Sequence, residues 1–337
     1  MDSETLLRYD PTQSLGLVPA AAMGTACAKA ILLGEHAVVY GHPAIAVPFS
    51  GVRATAVVRP GTPGSGIVVV AQDLDAARFD RAHDDEGGRG LLLAARNAAA
   101  AVLRAAQEPD VEITLQSAIP LARGMGSSAA VSAAITRAVV AFLGGHLALE
   151  EVSRLVYAAD AHYHGTPSGV DNTVVSFERP VWFERGRAPV FLSVGATLHL
   201  VMADTGAPSR TRDTVGHVRA ERERDPARSD ALLGEIGALV RLAREQLASG
   251  DVHGLGESMS ANHALLGALG VSTPALDTLV VAAREAGALG AKLAGGGGGG
   301  CIVALTEREA ADGVCRALER AGAVACYETE LERDGHE

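Results

Sequence analysis

Lysine is all but missing from this 337-residue chain: of its 29 basic residues only Lys29 and Lys292 are lysine, which leaves 27 arginines. So strong a bias implies that most cations here are interchangeable guanidiniums. Two positions instead keep a compact ammonium on a flexible stem. Both sit in small-residue segments, Ala26-Cys27-Ala28-Lys29 and the KLAGGGGGGC run from Lys292 to Cys301. Positive charge is short as a whole. The formal net charge of −11 argues against a nucleic-acid or anionic-membrane surface, while leaving room for a local positive pocket. Cysteine is scarce too. Cys27, Cys301, Cys315 and Cys326 show no C-x-x-C spacing, which speaks against a zinc site or a disulfide framework and for reduced thiols in a cytoplasmic protein. No uncharged apolar run reaches the length of a membrane span. Residues 1–22 carry one arginine, and their apolar run, Leu15–Ala22, is short and interrupted by proline, so no secretion signal is expected.

What is present describes an ordinary globular protein, 48% hydrophobic and 20% charged, with enough chain for two sizeable cores. After a tail over residues 1–22, strand-like runs are expected at Thr25–Leu33, Ala44–Phe49, Val52–Val58 and Ile67–Val70. The acidic, glycine-rich stretch Asp80–Gly90 reads as a surface loop and Leu91–Gln107 as an alanine-rich helix. Further along, helices are expected at Glu150–His162, Thr211–Arg224, Ser229–Ser249, Val252–Leu269, Thr273–Ala286 and Arg308–Ala321. Strands are expected at Leu198–Ala203, Cys301–Leu305 and Ala323–Tyr327, ahead of a frayed acidic terminus. Strands and helices alternate without a strict βαβ rhythm, which favours a two-domain α+β architecture with a boundary near Val190–Leu198.

The most informative segment is PLARGMGSSAA, Pro120–Ala130. It follows the alternating Val111-Glu112-Ile113-Thr114-Leu115 and precedes a stretch in which Val131, Ile135, Val139 and Phe142 recur at helical spacing. A flexible turn therefore delivers two hydroxyls and free backbone N–H groups to a helix start, whose partial positive charge suits a phosphate. Glycine at 124 and 126 lets backbone approach a ligand with no Cβ in the way. The plainer reading is a glycine-containing turn with Ser127 or Ser128 as an N-cap. Gly124-x-Gly126-x-x-Ala129 also formally fits a dinucleotide fingerprint, but the acidic residue wanted about twenty positions on is missing from Ala141–Ala148.

Three segments occur in the order that one family uses: KAILLGEHAVVYG (Lys29–Gly41), PLARGMGSSAA and KLAGGGGGGC. HGTPSGVDN (His164–Asn172) and ADTGAPSRT (Ala203–Thr211) add to the match. Together they resemble the GHMP superfamily of small-molecule kinases, and within it the mevalonate kinases. Galactokinase-like members follow Gly-Glu-His with a Thr-Asp-Tyr that is absent after His36, and phosphomevalonate kinases usually lack the Gly-Glu-His. The chain departs from the family at Cys27-Ala28, where Pro-Gly is usual, and at Ala294 and Gly296, where Thr and Ala are usual. It departs again at Asp160, which falls by spacing to Asp171 where the metal-binding acid is usually Glu.

The resemblance implies an N-terminal mixed α/β nucleotide-binding domain (23–195) and a C-terminal ferredoxin-like α/β domain (196–337). It implies a magnesium-dependent phosphorylation by ATP of the terminal hydroxyl of mevalonate in isoprenoid precursor synthesis. Arg123, Gly124, Met125, Gly126, Ser127 and Ser128 would hold the ATP phosphates, and Ser128 and Asp160 the Mg2+. Asp171 would accept the hydroxyl proton beside Lys29. Glu35, His36 and Thr211 would face the substrate. Plainer readings are an Asx turn at Ser168–Asn172 for Asp171, a solvated helix-end acid for Asp160, and a flexible linker for Gly295–Gly300. Glu35 and His36 have one too, as a helix-start carboxylate and a satisfied histidine. His162, His164 and Asp160 superficially suggest a transition-metal cluster, which lacks a further ligand nearby, and the family reads His164 as structural. Other small alcohols, a different hydroxyl of mevalonate and a non-catalytic nucleotide sensor remain as alternatives. No nucleic-acid or membrane partner is expected, and a homodimer is left open.

Overall fold

A computed structural model describes residues 19–74, 76–83, 86–103, 108–164 and 167–334. Most of the expected N-terminal tail, the expected end of the first helix and the last three residues lie outside them, as does the His164 side chain. Two sheets organise the described chain. The first contains β1 (Ala22–Leu33), β2 (Ala44–Pro60), β3 (Ile67–Ala71), β4 (Ala77–Phe79), β5 (Val111–Ser117), β6 (Val181–Phe183) and β7 (Val190–Phe191). Their order is β4-β3-β5-β2-β6-β7, with β1 pairing along β2. The two strands expected at 44–58 are one bent strand. Pairing with β1 jumps from Arg53 opposite Cys27 to Phe49 opposite Ala28, a bulge whose extra residues, Ser50–Val52, interrupt the sequence pattern without ending the strand.

Helices α1 (Glu86–Leu103), α2 (Ser127–Phe142), α3 (Leu149–His164) and α4 (Val170–Phe177) belong to this half. Two of them differ from the sequence reading. The first begins at Glu86, inside the expected loop, because Gly88 lies in the helix against the Phe79 ring, so this glycine serves packing. The fourth stands where the sequence reading gave no helix and offered a turn only as the plainer reading of Asp171. Eight residues rich in β-branched side chains carry little intrinsic helicity, and the helix is held by burial of Val170, Val174 and Val175.

The second sheet contains β8 (Leu198–Asp204), β9 (Gly290–Leu293), β10 (Cys301–Thr306) and β11 (Ala325–Leu331), ordered β11-β8-β10-β9 and antiparallel throughout. Helices α5 (Thr211–Arg224), α6 (Pro226–Ser249), α7 (Val252–Ala268) and α8 (Pro274–Glu285) connect β8 to β9, and α9 (Ala311–Arg320) connects β10 to β11. That is a βαββαβ, ferredoxin-like arrangement with an expanded first crossover. Local chemistry sets the helix ends. Asp225 caps α6 by accepting from Arg228 N at 3.1 Å, Pro226 follows it, and Gly250 closes the far end. The frayed terminus needs correcting. Glu328–Leu331 continue β11, with Thr329 and Leu331 turned inward and Glu328 and Glu330 outward, the alternation that a half-buried strand requires. Strand β9 escaped the sequence reading because Gly290-Ala291-Lys292-Leu293 is short and fully buried. Core side chains of both sheets, Ile45 and Ile113 with Leu200 and Val303 among them, form one continuous apolar cluster.

Candidate active site

Helix α2 begins at Ser127, directly behind Gly126 in the left-handed region at φ +73°. Its first backbone bond runs from Ala130 N to Gly126 O, so the amides of Ser127, Ser128 and Ala129 stay outside the intrahelical ladder and carry the positive end of the helix dipole. Among the described residues the buried Ser127 hydroxyl has no hydrogen-bond partner. An orphaned buried hydroxyl at a helix N-terminus is the kind of group that an anionic ligand completes. Glycine is required at 126. A Cβ there would stand 2.9 Å from Lys29 Cγ and 3.5 Å from Asp171 Oδ2.

Those two neighbours are the residues singled out from opposite parts of the sequence. Lys29, 3% exposed, reaches from the middle of β1 to place Nζ 3.1 Å from Asp171 Oδ1. Its own backbone N donates to Met125 O at 3.0 Å, which fixes β1 against the loop. Asp171 occupies the first turn of α4, its side chain 31% exposed, so a charged pair that is dry on the lysine side opens on the carboxylate side. The far end of α4 is clamped. Arg137 donates to Ser176 O at 2.7 Å and Val175 O at 3.3 Å, and pairs with Glu178. A guanidinium on the last carbonyls suits the negative end of a helix. Asp160, buried on α3, accepts a 2.6 Å hydrogen bond from Ser128 Oγ. One carboxylate and one hydroxyl at a phosphate-type cradle are the hard oxygen donors that a magnesium ion takes alongside phosphate oxygens. Among the described residues no group of three or more His, Cys, Asp or Glu could hold a metal ion.

Two of the three expected substrate-facing residues, Glu35 and His36, are buried. Glu35 is 1% exposed; Oε1 pairs with Lys292 Nζ, and Oε2 accepts from Asn262 Nδ2 at 3.2 Å. Lys292 also donates to Leu293 O at 2.6 Å and Ile31 O at 3.4 Å. The second lysine is thus a buried anchor beneath the turn. His36 has φ +59°, a strained conformation for a non-glycine residue. Its Nε2 donates to Gly296 O at 2.9 Å, leaving Nδ1 as the ring's acceptor. Thr211 is exposed at the start of α5, and a Cβ on Gly296 would lie 2.6 Å from its Oγ1. That contact accounts for glycine where the family usually has alanine. The glycine tract is pinned in place: Gly298 N donates to Val271 O at 2.9 Å and Gly300 N to Ala207 O at 2.8 Å. Gly295 packs on Gly124.

Arg123 does not join the cradle through its side chain; its guanidinium pairs with Asp204. Neither Asp204 nor Asn262 was found from the sequence, since each is an ordinary polar residue within an element and only the fold supplies its partner.

Burial holds the rings of His36 and His263 below the ordinary imidazole pKa. His263 Nδ1 accepts from Leu293 N at 3.3 Å, while Nε2 faces Asp277 Oδ1 at 3.3 Å. Because the folded pKa is depressed, the unfolded chain takes up the proton first. Stability is therefore full above about pH 6.5 and declines as pH falls from there towards the folded pKa. Thermal midpoints between pH 7.5 and 5 should drop for the wild type and drop less for His263→Gln; parallel curves would exclude a contribution from this ring.

Comparison with known proteins came out consistently. The model of the GHMP kinases N terminal domain matches residues 93–178 and that of the GHMP kinases C terminal matches residues 243–324. A mevalonate kinase of Thermococcus sibiricus is 36% identical over 332 residues, spanning 93% of this chain and 97% of its own. One from Aeropyrum pernix is 36% identical over 291 residues, spanning 85% and 88%. The crystal structure of L. major mevalonate kinase in complex with R-mevalonate superposes with a TM-score of 0.82 at 26% identity, covering 96% of this chain and all of that one.

Proposed function

The chain belongs to the GHMP kinases, and from that premise we propose that it transfers the γ-phosphoryl group of ATP to the terminal hydroxyl of mevalonate, giving 5-phosphomevalonate and ADP. One observation carries the reading: the Lys29–Asp171 ion pair lies against Gly126, at the amide end of α2 beside the orphaned Ser127 hydroxyl. An acid, an ammonium and a phosphate cradle in contact are the parts that phosphoryl transfer to an alcohol needs.

The chemistry then divides among the residues. Backbone amides of the Arg123–Ser128 loop and the start of α2 hold and polarise the phosphates. Asp171 orients the acceptor hydroxyl and takes its proton. A carboxylate is a weak base towards an alcohol, so the proton moves late, as oxygen bonds to phosphorus. Lys29 acidifies that hydroxyl and screens the incoming phosphate. Glu35, held by Lys292, and His36, held by Gly296, form a rigid wall for a small hydroxy acid, with Thr211 facing it. Ser128 and Asp160 would hold Mg2+, which when bound neutralises charge on the β- and γ-phosphates. Asp160→Ala should raise the magnesium concentration for half-maximal activity by about tenfold or more; an unaltered magnesium titration would remove Asp160 from the metal shell.

Free thiols at Cys27, Cys301, Cys315 and Cys326 suit a reducing compartment, and we place the reaction in the cytoplasm. No helix among the described residues is long and apolar enough to cross a membrane. An ADP-release assay across mevalonate, phosphomevalonate, galactose and homoserine tests the assignment. Turnover is expected with mevalonate; turnover confined to another alcohol would move the chain to a sister activity, and ATP binding without turnover on any would make it a sensor.

A further inference from the structure

Four contacts tie the phosphate loop to the second sheet's half: one to the end of β8, two to the chain that follows it and one to Ala294 beyond β9. Arg123 Nε donates to Asp204 Oδ2 at 2.8 Å, and an NH2 proton goes to Gly206 O at 3.0 Å. Ser209 N donates to Ala122 O at 2.8 Å. Gly124 packs on Ala294 O, the ideal Cβ position being 3.2 Å from it. Asp204 is 4% exposed, and its second oxygen accepts from Gly206 N at 2.8 Å, so both carboxylate oxygens have their partners fixed. Ala122, one residue ahead, has φ +56°, a conformation that alanine keeps only where its surroundings impose it.

We propose that Arg123 is a positioning residue and not a phosphate ligand: its ion pair with Asp204 sets the phosphate loop against the 204–211 loop that presents Thr211. The inference rests on the nucleotide reading of the loop and deepens it. To reach a phosphate, the guanidinium would have to leave a nearly buried carboxylate without its cation, a costly state. Staying in place, its planar fork serves Asp204 and Gly206 at once. The loop's own amides are then left to contact the phosphates. The arrangement also couples the two substrates. The loop that Arg123 grips continues into α5 at Thr211, so the γ-phosphate cradle and the alcohol side of the site share one brace.

The two roles separate in a double-mutant cycle on the full chain. For a positioning pair, Arg123→Ala and Asp204→Ala each raise the KM for ATP at least tenfold. The double variant lies within threefold of the worse single, and the KM for mevalonate changes less than that for ATP. Arg123→Lys, which restores charge without the fork, recovers only part of the loss. A direct phosphate ligand gives a different pattern: Arg123→Ala is costly, whereas Asp204→Ala stays within threefold of wild type. That pattern, or single losses that multiply in the double variant, would overturn the proposal. A second readout needs no activity. Amide hydrogen exchange over residues 121–126 in nucleotide-free protein should quicken in both single variants, and unchanged exchange in either contradicts the brace. A wild type that bound no ATP at all would refute the kinase assignment, while the exchange data would still judge the brace by itself.

Discussion

Asp171→Asn is expected to lower kcat by roughly 10²–10⁴-fold, the range lost when a positioned general base is removed, while the Kd for ATP stays within about threefold. The isosteric amide keeps the shape of the first turn of α4 but can neither accept the hydroxyl proton nor neutralise Lys29. Loss in kcat without loss in nucleotide affinity follows from geometry. The carboxylate sits 3.1 Å from Lys29 and keeps 31% of its side chain open, on the side proposed for the acceptor, whereas the α2 amides proposed to hold phosphate are untouched. Lys29, a residue only 3% exposed, is left with its ammonium uncompensated, so some stability should go as well. Single-turnover measurements at saturating ATP are the proper check, because they isolate the chemical step. If ATP affinity collapsed while turnover survived, Asp171 would be a nucleotide ligand and the division of roles would be wrong.

Lys292→Met is expected to be the most destabilising substitution among the ionic residues, by about 3–5 kcal/mol. That corresponds to a fall in thermal midpoint on the order of 10 °C. Lys292 is fully buried against the equally buried Glu35, and burial pulls its ammonium pKa below the ordinary lysine value while the charge of Glu35 offsets part of that pull. Deleting the cation strands a carboxylate 1% exposed with only Asn262 as its partner. The paired variant Glu35→Leu with Lys292→Met should recover much of the midpoint, since an apolar pair replaces a charged pair without leaving either ion alone. Activity should not recover with it, because the turn that carries His36 loses its anchor. A single variant melting with the wild type would show that the pair contributes nothing to the fold.

The sequence announced the chemistry better than the construction. That Lys29, Asp171 and the Gly126–Ser128 turn matter together, and they do lie in contact, was legible because the turn has the residue types of a phosphate cradle, and because lysine is rare enough to mark positions 29 and 292. The same signal misplaced Lys292, since composition marks a residue as special without saying whether it faces a ligand or a buried acid. The side-chain partner of Arg123 was out of reach for a related reason. Nothing local to the loop marks Asp204, which is eighty-one residues away in the chain, as the partner of that guanidinium. Longer helices such as Thr211–Arg224 were read to the residue, because proline and glycine punctuation on either side, Pro208 and Pro226 here, marks their bounds. Short elements were missed: α4 and β9 hold their form through packing partners distant in sequence, and a local reading has no access to those.

The most direct test of the whole account is the identity of the phosphorylated atom. With purified protein, Mg-ATP and mevalonate, the phosphorus spectrum of the product should show one phosphomonoester coupled to the methylene protons of the primary carbon. A phosphomonoester on the tertiary hydroxyl, without that coupling, would mean that Asp171 and Lys29 address a different oxygen from the one assigned to them.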